Sequence, residues 1–201
     1  MIKVLIADDQ ALVRGALATL LNLEPDIEVV AQTGSGEDVA DLVRAHEVDV
    51  ALLDIDMPDL DGFGALQEIV ATGLQARCLM VTTFGRPGYL TRALQLGAAG
   101  FVVKDSRPED LAAAIRKVHA GGRVIDPSLA EESVFVGQNP LNERERQVLK
   151  LALTGSDAKQ IAEELFLSEG TVRNLLSAAI GKTPARNRTD AAVTALNNGW
   201  I

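Results

Sequence analysis

The chain has 201 residues, 47% of them apolar and 23% charged, enough for one large or two small domains with aliphatic cores. Its single cysteine, Cys78, excludes an internal disulfide framework, and no apolar run approaches the ~20 residues that span a bilayer. The net charge of −9, taken as a whole, argues against a nucleic-acid partner, and the N-terminus opens on a strand with no basic leader, so a cytoplasmic location is expected.

Val4-Leu5-Ile6-Ala7 is a short apolar run that closes on Asp8 and Asp9. An amphipathic stretch follows from Ala11 to Leu23, and another runs from Gly36 to His46. Val50-Ala51-Leu52-Leu53 closes on Asp54, and Asp61 is placed to cap a helix from Gly62 to Ala71. Cys78-Leu79-Met80-Val81 closes on Thr82 and is followed by a helix from Tyr89 to Leu96. Cys78 lies inside a strand-like run and reads as a buried small hydrophobe. Gly100-Phe101-Val102-Val103 closes on Lys104, and Ser106 and Pro108 open a helix that ends near Ala120. Runs without polar alternation are strands buried on both faces. Five strand–helix repeats therefore predict a five-stranded parallel, doubly wound α/β domain (flavodoxin-like) over residues 1–122.

In such a sheet the residues at the C-terminal strand ends share one crevice. Asp8, Asp9, Asp54, Thr82 and Lys104 all stand there. Three carboxylates in one crevice repel one another unless a cation joins them, and hard oxygen ligands with room for water suit Mg²⁺. The backbone carbonyl of Asp56 can complete the coordination. Lys104 can place an ammonium on an incoming phosphate, and Thr82 can donate a hydroxyl hydrogen bond. The set describes an acceptor for in-line phosphoryl transfer. Singly, each residue has a plainer account: Asp9 or Asp61 caps a helix, Thr82 ends a strand, Lys104 is a solvated charge.

Residues 123–139, with Pro127, Gly137 and Asn139, read as a linker carrying a short helical turn around Ser128–Val134. After Pro140 the pattern is purely helical. Asn142 with Glu145 forms a capping box, Gly155 ends that helix, Asp157 caps the next, Ser168 a third, and a fourth spans about Thr189 to Asn198. The charge also shifts. Residues 1–125 carry −7, residues 126–139 carry −3, and residues 140–201 carry +1. Between Glu169 and Asp190 there is no acid, but there are Arg173, Lys182, Arg186 and Arg188.

Short helices with tight connections fit a helix-turn-helix over residues 140–201, with Thr171 to Ser177 opening its recognition helix. Val172, Leu175, Leu176 and Ala179 share one face and should be core. Arg173, Asn174 and Ser177 then face outward for base edges, and Lys159, Thr171, Lys182, Arg186 and Arg188 suit phosphates. The plainer account is a solvated helix face.

The N-terminal residues resemble the receiver domain of two-component response regulators. The resemblance rests on Asp8-Asp9, Leu53-Asp54-Ile55-Asp56-Met57-Pro58 with Asp61-Gly62, Val81-Thr82-Thr83 and Gly100-Phe101-Val102-Val103-Lys104. It implies that Asp54 takes a phosphoryl group from a sensor histidine kinase, with Mg²⁺ held by Asp8, Asp9, Asp54 and the Asp56 carbonyl. It also implies that Thr82 and Lys104 contact the phosphoryl group and that Phe101 is an aromatic switch. Residues 140–201 resemble the LuxR-type DNA-binding domain of the NarL/FixJ regulators through Leu141, Arg144-Glu145, Val148-Leu149, Gly155, Lys159, Ile161-Ala162 and Thr171-Val172-Arg173. Asp157-Ala158, Asn174-Leu175 and Thr183-Pro184-Ala185 depart from that pattern. Thr82-Thr83-Phe84, Arg86 to Tyr89, and Gly199-Trp200 resemble the branch that regulates lipid-desaturase genes.

Together these imply a transcription factor that dimerises on phosphorylation and binds promoter DNA. Helices 1 and 5 are the preferred dimer face, the last helix a second contact, and RNA polymerase a further partner. No catalysis beyond slow autodephosphorylation is expected. Two rivals exist. One is a phosphorylation-independent DNA binder with the receiver as dimer scaffold. The other is an aspartyl-phosphate phosphatase on Asp54-x-Asp56; it is disfavoured because Pro58 stands where that family has Thr.

Overall fold

The computed structural model describes residues 1–83, 87–126 and 139–201. The expected turn at Ser128–Val134, most of the linker, and Phe84, Gly85 and Arg86 lie outside these residues. The chain divides into two compact units, one formed mainly by the N-terminal residues and one by the C-terminal residues.

From the N-terminus the chain alternates β1 (Ile2–Ala7), α1 (Ala11–Leu21), β2 (Ile27–Thr33), α2 (Val39–His46), β3 (Val50–Asp54), α3 (Gly62–Ala71), β4 (Arg77–Thr82), α4 (Pro87–Gln95), β5 (Gly100–Val103), α5 (Pro108–His119) and β6 (Val124–Ile125). Strand order is β2-β1-β3-β4-β5-β6, and every pairing is parallel. The first five strands thus follow the flavodoxin-like order. The sixth strand corrects the expected five. Its two residues pair with Gly100 and Phe101 on the outer edge of β5. A run this short carries no periodicity, so nothing in its composition separates it from a loop. The sheet consequently runs to Ile125.

The central strands are buried because both faces are covered. All of Val50 to Asp54 is buried, and Val4, Leu5, Leu53, Leu79 and Met80 are at 0% exposure. Ile115 and Val118 of α5 pack with Val4, Val50 and Leu79 in one apolar cluster. Pro108 occupies the first turn of α5, where its missing N–H costs nothing, but the N-cap residue is Arg107, with no side-chain cap bond, in place of the expected Ser106. Cys78 is buried, and burial pushes its thiol up to about 12, which leaves it inert at neutral pH.

The second unit is α6 (Glu143–Leu153), α7 (Ala158–Glu164), α8 (Glu169–Lys182) and α9 (Arg188–Asn197). Side chains start all four helices, as their sequences require. Asn142 and Glu145 form a reciprocal capping box, Asp157 and Gln160 form another, Ser168 accepts from Thr171 N–H, and Asn187 accepts from Asp190 N–H. Each such cap contributes about 1 kcal/mol. Val148, Leu149, Ile161, Val172, Ala179, Ala191, Ala192 and Ala195 fill the core between the helices. Among the expected core residues of α8, Leu175 is only half-buried.

Candidate functional site

Parallel β1, β3, β4 and β5 deliver their C-terminal residues to one crevice. The carboxylates of Asp8, Asp9 and Asp54 lie within 4.8 Å of one another. Asp8 and Asp54 are buried and Asp9 is exposed. The Lys104 ammonium sits 2.7 Å from Asp8 Oδ2 and 2.9 Å from Asp54 Oδ2. Its side chain is 6% exposed, so this is a buried charge cluster and not a solvated surface lysine. Thr82 is 1% exposed, and its carbonyl accepts from the Lys104 backbone N–H at 2.7 Å, which ties the ends of β4 and β5 together.

Burial raises the Asp54 pKa, and the nearby Asp8 adds to the rise, against the lowering effect of Lys104. Burial works to lower the Lys104 pKa, but its contacts with Asp8 and Asp54 outweigh this and raise it, so it stays charged. Desolvated carboxylates with one ammonium among three acids leave an excess of negative charge. That donor set fits a hard divalent cation.

The surrounding backbone is fixed. Asp8 Oδ1 accepts from Gln10 N–H at 2.9 Å, its N–H donates to the Thr33 carbonyl at 3.0 Å, and its carbonyl accepts from Arg14. Asp54 Oδ1 accepts from Ile55 N–H at 2.9 Å. Met57 N–H returns to the Ile55 carbonyl at 3.2 Å, which leaves Asp56 on an exposed turn beside Asp54. Asp61 caps α3 by accepting from Gly64 N–H at 2.7 Å. At Gly62 no side chain fits, because an added Cβ would stand 2.0 Å from the Asp54 carbonyl oxygen. Phe101 is fully buried and faces Met80 across the β4–β5 ladder. Arg14 was absent from the expected site, and Gly62 entered there only as part of the Asp61-Gly62 motif, without a role in the crevice. An arginine on an amphipathic helix and a glycine after an aspartate have ordinary local explanations, and only the closed fold brings them to the crevice.

In the second unit α8 exposes Thr171, Arg173, Asn174, Ser177 and Lys182. Arg173 Nη2 lies 2.7 Å from Glu169 Oε2 within the same helix. The Thr171 hydroxyl is 2.8 Å from that of Ser168. Lys159 is exposed in the first turn of α7. Arg186 is 93% exposed beside Asp190, and Arg188, the first residue of α9, is half-buried. Lys182 departs from a free phosphate contact. Its ammonium lies 2.8 Å from both carboxylate oxygens of Glu145, which is 2% exposed. Glu145 also accepts from Asn142 N–H at 2.8 Å, so one buried carboxylate joins the start of α6 to the end of α8.

Residues 4–116 match the model of the response regulator receiver domain, and residues 139–195 match that of the bacterial regulatory proteins of the luxR family. The chain belongs to the NarL/FixJ family of response regulators. It is 42% identical over 201 residues to the transcriptional regulatory protein DesR of Bacillus subtilis, covering 100% of both chains. It is 35% identical to the DNA-binding transcriptional activator DevR/DosR of Mycobacterium tuberculosis, covering 97% of this chain and 94% of that one. Among solved structures it resembles the response regulator ChrA of a heme-sensing two-component system, with a TM-score of 0.60 at 30% identity over 100% of this chain and 98% of the other. This regulator therefore pairs a receiver with a LuxR-type DNA-binding domain. Among the described residues no helix is long and apolar enough to cross a membrane.

Proposed function

We propose that Asp54 is the phosphoacceptor of this response regulator and that its phosphorylation promotes dimerisation and promoter binding. The observation that carries the reading is the buried Asp8–Lys104–Asp54 cluster at the strand ends. An Asp54 carboxylate oxygen attacks phosphorus in line. The new O–P bond forms as the bond to the donor, a histidine imidazole of the kinase, breaks. Lys104, now bridging two carboxylates, has its ammonium beside the atoms that would carry the transferred charge. Asp8, Asp9, Asp54 and the Asp56 carbonyl would hold Mg²⁺, which supplies charge neutralisation. Thr82 and Phe101 lie on the β4–β5 side and would carry the state outward. The acyl phosphate is a stored state, lost by slow autodephosphorylation and not turned over.

A second copy is the dimer partner, and α1 supports the choice of face. Leu12, Gly15, Ala16, Thr19 and Leu20 of the helix, and Leu23 just past its end, are exposed and uncharged, with Leu12 at 86% and Leu23 at 75%. Residues 1–125 carry −7, so two copies approach best through a face without acids. Exposed apolar patches of this kind mark association surfaces.

In α8, Arg173, Asn174 and Ser177 read base edges, while Lys159, Thr171, Arg186 and Arg188 face phosphates; Lys182 contributes there only when a phosphate draws its ammonium away from Glu145. The promoter-bound dimer is the form offered to RNA polymerase. The test uses a small phosphodonor with Mg²⁺. The wild type should incorporate phosphate and double its mass by light scattering, and Asp54→Ala should do neither. Full labelling of the variant would reject the acceptor assignment. An unchanged mass with full DNA binding would favour the phosphorylation-independent reading.

A further inference from the structure

The recognition helix carries one acid, Glu169, at its first position, on a face meant for a polyanion. An exposed carboxylate there repels phosphates, so its presence needs a reason. One account is helix stabilisation, since an acid at a helix start and an acid–base pair four residues apart each contribute a little. The geometry gives Glu169 more to do. Its Oε2 takes Nη2 of Arg173 at 2.7 Å, one helical turn on, while the Arg173 side chain stays 69% exposed.

We propose that Glu169 is a positioning residue that sets the Arg173 guanidinium for base reading and so determines specificity. The proposal rests on α8 being the DNA-reading helix, as argued above. Guanidinium has its donors in a rigid planar fork. With Nη2 held by Glu169, the remaining N–H groups are presented outward in a fixed plane, as a bidentate contact to guanine O6 and N7 requires. A free arginine loses side-chain rotamer freedom on binding, whereas one already held loses less. The same carboxylate weakens binding to every sequence through phosphate repulsion. Glu169 therefore lowers random affinity and raises discrimination, and both effects favour the correct site.

The test compares wild type, Glu169→Ala and Glu169→Gln as full-length phosphorylated protein. The DNA is the best sequence selected from a random pool, and random duplex of equal length. Both variants remove the charge and should bind random duplex a few-fold more tightly. Glutamine keeps an acceptor oxygen for Arg173 and should hold most of the specific-to-random ratio. Alanine should lower that ratio by about tenfold, with the loss concentrated at one base pair. Equal ratios for the two variants, or a ratio for Glu169→Ala equal to that of wild type, would overturn the positioning role and leave only charge. A wild type that prefers no sequence would overturn the DNA-reading assignment itself and would be seen before either variant is compared.

Discussion

The two units use charge in opposite ways. The receiver buries it: Asp8, Asp54 and Lys104 meet at the strand ends almost without solvent. The reader displays it: Arg173 and Arg186 are 69% and 93% exposed, and their partners Glu169 and Asp190 each lie four residues away in the chain. Buried charge suits a site that must hold one small group in one geometry. Displayed charge suits a surface that meets a long polymer. Glu145 and Lys182 are the exception, a receiver-like buried carboxylate inside the reader.

Removing one partner from each buried cluster tests how far this contrast reaches. Lys104→Ala leaves Asp8 and Asp54 buried and facing each other without a cation. The metal-free receiver should lose about 3 kcal/mol in urea unfolding, and Mg²⁺ should recover part of it. A loss under about 0.5 kcal/mol would mean the crevice is wetter than its exposure indicates. Glu145→Ala removes a capping box and the carboxylate that Lys182 binds. It should destabilise the reader by about 2 kcal/mol, less than the receiver variant, because Lys182 is 39% exposed and can turn to water. Calorimetry should show only the reader's transition moving.

The contrast also explains what could be read from the chain. The capping boxes at Asn142–Glu145 and Asp157–Gln160 are local, so a few residues determine them and they stand where expected. The acidic crevice was also legible, because apolar runs mark strands and strand ends converge in a parallel sheet. Two classes of feature escaped. β6 is too short to carry a period, and it forms only because the edge of β5 offers Gly100 and Phe101 as partners. The engagement of Lys182 depends on Glu145, 37 residues away, and on the packing of α6 against α8. Free cationic residues and tethered ones look alike in a sequence, because the tether is tertiary.

Acid should separate the clusters further. The raised Asp54 pKa means the folded receiver binds its proton more readily than the unfolded chain. This group's effect on stability is therefore most favourable below the ordinary carboxylate range and worsens as pH rises through the raised value. Asp54→Asn should flatten that slope in metal-free melts, and an unchanged slope would show that other groups set it. Asp26 has the opposite sign. Its bond to the Arg116 guanidinium lowers its pKa, so its contribution is present above the ordinary range and lost as pH falls through the lowered one. This pair is half-exposed at the surface, at 38% for Arg116 and 48% for Asp26, so Asp26→Asn should give the smallest change of the series, screened further by salt.

Gly62 gives the receiver a direction. Its N–H is bound to the Ile55 carbonyl at 3.1 Å, and its Cα leaves no clearance behind the Asp54 carbonyl. The end of β3 and the start of α3 are thus a single rigid seat, capped by Asp61. A side chain in this seat would push the start of α3 away from the acceptor strand. On its other side Asp54 meets Lys104, at the end of β5, through side chains alone. One wall of the crevice is thus set by backbone packing and the other by charge.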